Sequence, residues 1–234
     1  MSQESRVSAE RLDEERKGLL RRIVECQAYR QRMAGNIRGH GMKFVMNLDS
    51  KLHLVRELED ETRVLREVEG LYERLGETGD LADIVRSKME RIPYPGSKLE
   101  LAICLALTDR AERIAAESYL GSVSGDFAAI AKSLVDRDRS AAQRAEGLFL
   151  EFCADEGNRP HAQQMFDRWL AICVRSLGRP DTARDARAVE LGLRTQHVAE
   201  SLREFLSDVN ELAERCGLTL PTGEALAVEL PAGV

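Results

Sequence analysis

The chain has 234 residues, of which 43% are hydrophobic and 32% charged, a balance that buries a real core and excludes disorder by composition. Its net charge of −6 argues against a general nucleic-acid binder, which carries a basic face. No apolar run reaches the ~18 residues of a membrane span, and a chain with 5% aromatics and abundant Ala, Leu, Arg and Glu favours helix.

In chain order, residues 1–8 read as a flexible tail. A first helix is expected from about Ala9 to Ala34, with Leu12, Leu19, Leu20, Ile23, Cys26 and Met33 on one face. Gly35-Asn36 ends it, and Gly39-His40-Gly41 reads as a flexible link. Asp49 or Ser50 would cap a second helix to about Leu75, and Asp80 a shorter one to about Arg91. Pro93 and Pro95 enforce a rigid turn. Ser97 and Glu100 form a capping box that opens a long helix to about Leu120.

After a Gly/Ser loop, a long helix is expected from Asp126 to about Phe152, another from Pro160 to about Ser176, and a last pair over about Thr182–Leu193 and Thr195–Cys216. The tail over residues 217–234 reads as extended. No period-two pattern competes. The reading is one all-α domain over residues 9–216, an antiparallel bundle of four long helices with shorter ones around them. Cys26, Cys104, Cys153, Cys173 and Cys216 lie far apart without a CxxC, as expected of reduced thiols in a cytoplasmic protein. Cys26, Cys104 and Cys173 fall on apolar faces and read as core, as does Trp169 with Phe166 and Leu170.

Chemistry in such a bundle would require carboxylates and histidines on inward faces. A Glu-x-x-His pair places both side chains on one face of a helix, so one metal ion can take both. The residues three before His40, His53, His161 and His197 are Ile37, Ser50, Asn158 and Arg194, so the chain contains no such pair. His53, His161 and His197 read as surface or capping residues. His40, beside Arg38 and Lys43, reads as part of a linker, with phosphate binding as the alternative. Asp136-Arg137-Asp138-Arg139 alternates in sign and reads as a solvated or internally paired helical stretch.

Asp60-Glu61-Thr62-Arg63-Val64 resembles the Asp-Glu-x-Arg-His run of carboxylate-bridged di-iron proteins, with Val64 where the histidine belongs. From about Val24 to Leu220 the order of elements resembles the ferritin-like subunits of the phenylacetyl-CoA epoxidase complex. Ser140 to Phe149 resembles that family's segment with the second Glu-x-x-His, Phe166 to Leu170 its following helix, and Ser176 to Pro180 that helix's end.

The resemblance implies a ferritin-like bundle and places the iron ligands at Gln31 (or Glu25), at Glu61 and Val64, at Asp109, and at Ser140 and Gln143. Of these, Glu61 and Asp109 keep the expected carboxylate, and two carboxylates without an imidazole under-ligate two irons. The expectation is that no cofactor is bound and that Glu61 and Asp109 are neutralised by arginines, with Arg56, Arg63, Arg110, Arg113, Arg139 and Arg144 as candidates.

Three functions follow from the resemblance. The first is a non-catalytic structural or partner subunit, in a homodimer or hetero-oligomer and without nucleic acid or membrane. The second is an iron oxygenase with an atypical site drawn from Glu25, Glu61, Asp109, Glu112 and Asp138. The third is a metal-free bundle that binds an acyl-CoA or small hydrophobic ligand in the space the metal left.

Overall fold

The longest uninterrupted apolar face belongs to the capping-box helix, and it organises everything else. The computed structural model describes residues 3–76, 81, 94–180 and 182–226. Among them the chain is all-α: α1 (Gln3–Gly41), α2 (Leu48–Arg74), α3 (Lys98–Glu117), α4 (Gly125–Val135), α5 (Ser140–Cys153), α6 (Arg159–Leu177), α7 (Ala183–Glu190), α8 (Val198–Cys216) and the short α9 (Gly223–Leu226). No strand occurs among these residues, and no helix is long and apolar enough to cross a membrane.

Helix α3 is buried on every side from Glu100 to Asp109, as expected of a helix apolar all round. Its first turn is held by Ser97 Oγ, which accepts from Glu100 N at 3.1 Å, while the Glu100 carboxylate accepts from Gly96 N at 2.7 Å. The same carboxylate accepts from Trp169 Nε1 at 3.0 Å and pairs with Arg168 at 2.9 Å, tying α6 to the start of α3. Around α3 lie α5, α6, α8 and the end of α1, whose side chains form the larger core with Phe149, Phe166, Trp169 and Phe205. A second core lies between the first half of α1 and helices α2, α4 and α7, and includes Val24, Val64, Val68, Phe127 and Leu134.

Several elements differ from the sequence reading. Helix α1 begins at Gln3 within the expected tail and runs through Gly35 and Gly39 to Gly41. Close packing requires a glycine only at Gly41, where a Cβ would lie 2.7 Å from the Leu101 methyls; at Gly35 it would meet Leu58 at an ordinary 3.5 Å, and at Gly39 it would meet nothing within 4 Å. None of the three glycines has to leave the helical conformation, so the helix continues through them. The cap of α2 is Asn47, whose side chain accepts from Ser50 N at 3.1 Å, and not Asp49 or Ser50. Helix α8 starts at Val198 instead of Thr195, with the Glu200 carboxylate accepting from His197 N at 2.7 Å.

The helix expected from Asp126 to Phe152 is two helices. They are separated at Asp136–Arg139, the alternating-charge run. The tail after Gly217 is not extended throughout, because it includes α9 with Leu226 buried in the larger core. Cys26 is exposed and not core, whereas Cys104 and Cys173 are buried as read. The helix expected over Asp80–Arg91 lies outside the described residues apart from Leu81, and so does the tail after Leu226.

Candidate functional site: a buried arginine–carboxylate cluster

Gln31 and Arg38 lie seven residues apart on α1, Glu57 and Glu61 four apart on α2, and Asp109 and Glu112 three apart on α3. Each spacing returns a side chain to the same helix face. The α4–α5 link supplies the fourth side. In that link Arg137 and Arg139, two residues apart, turn inward, while Asp136 and Asp138 stay exposed.

At the centre is Arg137, whose side chain is 3% exposed. Its Nη1 donates to Glu61 Oε1 at 2.6 Å and to Glu112 Oε2 at 2.9 Å, bridging α2 and α3. Arg38, also 3% exposed, donates its Nε to Glu57 at 2.8 Å and places Nη1 3.1 Å from Glu61 Oε1. That second contact is an ion pair without the angle of a hydrogen bond. Gln31 Nε2 donates to Glu112 Oε1 at 2.6 Å, and its own Oε1 is buried without a hydrogen-bond partner. Beside the cluster, Asp109 accepts from Arg139 Nη1 at 2.7 Å, and Arg139 Nη2 is anchored on Leu134 O at 2.9 Å.

Three carboxylates, Glu57, Glu61 and Glu112, therefore face two guanidiniums, Arg38 and Arg137. A buried excess of negative charge is resolved by proton uptake. Burial, and then the adjacent Glu112 carboxylate, push Glu61 up to about 7 even though Arg38 and Arg137 pull the other way. A proton on Glu61 makes the five-residue cluster neutral. Burial acts to lower the pKa of both arginines, and the surrounding carboxylates more than offset it, so both stay charged.

The residues expected at an iron site separate into two sets. Gln31, Glu61 and Glu112 converge, and Asp109 sits next to them with its own arginine. The rest do not join. Val64 is fully buried in the second core. Ser140 opens α5, with its N and Oγ bonded to Asp138 at 2.9 and 3.1 Å, and Gln143 faces solvent. Asp138, whose carboxyl is held below the usual range by those two hydrogen bonds, is exposed. Glu25 is half-buried against the Tyr72 hydroxyl at 3.5 Å.

The carboxylate of α3 opposite Glu61 is Glu112, three residues beyond Asp109. Of the proposed arginine partners, Arg139 does meet Asp109. Arg63 instead pairs with Asp60 and Glu67 at the surface, Arg110 with Glu146 and Asp208, and Arg113 with Glu117 and Asp208. Sequence reasoning missed Arg38 and Arg137. The signal for Arg137 was its alternating run, which gives no helix a consistent face.

The donor set does not fit a di-iron centre. Among the described residues no three His, Cys, Asp or Glu side chains converge so as to hold a metal ion. The oxygens of Glu61 and Glu112 that would bridge metals are instead bonded to guanidinium and amide nitrogens. A cleft of about 630 Å³ adjoins the cluster, walled by Gln31, His40, Leu58, Glu61 and Tyr94. The His40 ring stacks on Tyr94 there at 4.6 Å.

The fold and site together define an all-α protein with a buried arginine–carboxylate cluster bridging three helices and a link. Compared with known protein families and with curated proteins, the chain matches none.

Proposed function

We propose that this chain is a metal-free helical scaffold of ferritin-like design, acting as a structural or partner subunit and not as an oxygenase. One observation carries the reading: the Arg137 guanidinium bridges Glu61 and Glu112, the inward carboxylates of α2 and α3. A guanidinium supplies fixed positive charge and directional hydrogen bonds. It satisfies inward carboxylates as metal ions would, but it offers no open coordination position and no redox chemistry.

The resemblance to phenylacetyl-CoA epoxidase subunits supports the same reading, since the inward positions on α1, α2 and α3 are still polar while the histidine position is Val64. In this account the cluster fixes how α1, α2 and α3 pack, in the way buried polar groups set register. Five free cysteines, four of them buried, fit a reducing, cytoplasmic compartment.

The test is oxygen consumption by protein incubated anaerobically with ferrous iron, desalted, and then mixed with oxygen and a reductant. The scaffold reading expects uptake at the buffer rate. Stoichiometric uptake that disappears in Glu61→Gln would establish an oxygenase instead.

A further inference from the structure

A second cleft, about 500 Å³ in volume, opens between the first half of α1, the end of α6 and the start of α7. This size falls within the range of small-ligand sites. Its charge is unlike that of the whole chain. Among the described residues Arg22, Arg30, Arg175, Arg179, Arg184 and Arg194 line it, against one lining carboxylate, Asp185. Asp185 is already committed, because it accepts from Arg194 Nη1 at 3.0 Å and Val198 N at 3.0 Å and lies 3.2 Å from His197 Nδ1.

The other five arginines have no carboxylate partner among the described residues. Arg30 is the telling one. It is only 8% exposed, yet its hydrogen bonds go to neutral acceptors, Ser176 O at 3.1 and 2.9 Å and Gln27 Oε1 at 3.1 Å. Buried guanidiniums normally face a counter-charge. Arg194, also 8% exposed, keeps its Nε buried without a hydrogen-bond partner. In a protein of net charge −6, five arginines without a carboxylate partner among the described residues give this concavity a positive character.

Leu19, Ile23, Tyr29 and Tyr119 form an apolar and aromatic part of the wall, with Ser176 and Thr182 as further polar lining. Arginine forks match phosphate geometry, and apolar walls take a hydrophobic or planar body. We propose that this cleft binds a small soluble phosphate ester with an apolar or aromatic body. The phosphate is held by Arg175, Arg179 and Arg184, and the body lies against Leu19, Ile23 and Tyr29. This site stands apart from the arginine–carboxylate cluster and does not depend on whether that cluster excludes metal.

The test is calorimetric titration of the full chain with 1-naphthyl phosphate, inorganic phosphate and 1-naphthol at low salt. The expected result is saturable binding of 1-naphthyl phosphate, weaker binding of inorganic phosphate and none of 1-naphthol. Affinity should fall as salt rises. The double variant Arg179→Ala/Arg184→Ala, at two exposed positions, should bind on the order of tenfold or more weakly. Arg175→Gln gives a second, independent reading should the double variant fail to fold. Absence of saturable binding by the wild type overturns the proposal, as does undiminished binding in the variants. Binding to phosphatidic acid vesicles without binding of 1-naphthyl phosphate would also overturn it, by assigning the cleft to a lipid surface.

Discussion

Removing Arg137 probes the cluster most sharply, because the structure dictates how the effect depends on pH. In Arg137→Met the apolar stem is retained, while Glu61 and Glu112 lose the guanidinium that bridges them at 2.6 and 2.9 Å. Breaking one partner out of a buried ion pair costs about 3–5 kcal/mol. A stranded carboxylate has an escape, which is to take up a proton. The cost of that escape is set by the distance of the pH above the ordinary carboxyl value of 4.5. At pH 8 the gap is about 3.5 units, which caps the penalty at about 5 kcal/mol per carboxylate at ~1.4 kcal/mol per unit. At pH 5 the cap falls to about 0.7 kcal/mol, leaving the lost hydrogen bonds at about 1 kcal/mol each.

The variant should therefore lose about 3–5 kcal/mol at pH 8 and about 2–3 kcal/mol at pH 5. Urea unfolding at both pH values measures this through the emission of Trp169, the single tryptophan, which is fully buried. An equal loss at both pH values would refute the reasoning, since it would mean Arg137 contributes packing and not charge.

Three further predictions follow from the same structure. Glu61 is raised to about 7, so the folded state holds a proton that the unfolded chain releases above 4.5. Its stabilising contribution is complete below 4.5 and is lost as pH rises through 7, on the order of 3 kcal/mol in all. Glu61→Gln should flatten that decline in urea titrations, and an unchanged slope would locate the titrating group elsewhere. Gly41→Ala pushes a methyl to 2.7 Å from the buried Leu101 and should cost about 1–3 kcal/mol. Gly35→Ala meets Leu58 at an ordinary 3.5 Å and should gain about 0.5–1 kcal/mol from helix propensity. Thermal melts showing the two substitutions with the same sign would contradict the packing described here.

Much of the helical frame was legible because it rests on local signals. The capping box at Ser97 and Glu100 and the apolar run of α3 act within a few residues, whereas Pro93 of the expected turn lies outside the described residues. What local reasoning could not give was meaning that depends on a distant partner. Gly35 and Gly41 carry the composition of a break, and only the approach of the distant Leu101 turns Gly41 into a packing position.

The carboxylates of the site were legible as types, and Glu61 stands at the centre of the cluster. Its partners were not, because Arg137 reaches Glu61 across 76 residues, and nothing in the intervening sequence fixes that approach. That Glu112 and not Asp109 shares Arg137 with Glu61 was out of reach for a related reason. Both lie on one face of α3, and the choice between them rests on where the α4–α5 link delivers its two arginines.

If arginine takes the place of a metal in this bundle, metal content shows it most directly. Full-length protein produced in iron- and manganese-supplemented medium, purified without chelator, would be quantified by mass spectrometry for both metals. The account predicts well below one metal ion per chain, unchanged in Glu61→Gln. A content near the ~2 ions of a carboxylate-bridged pair, lost in Glu61→Gln, would contradict it.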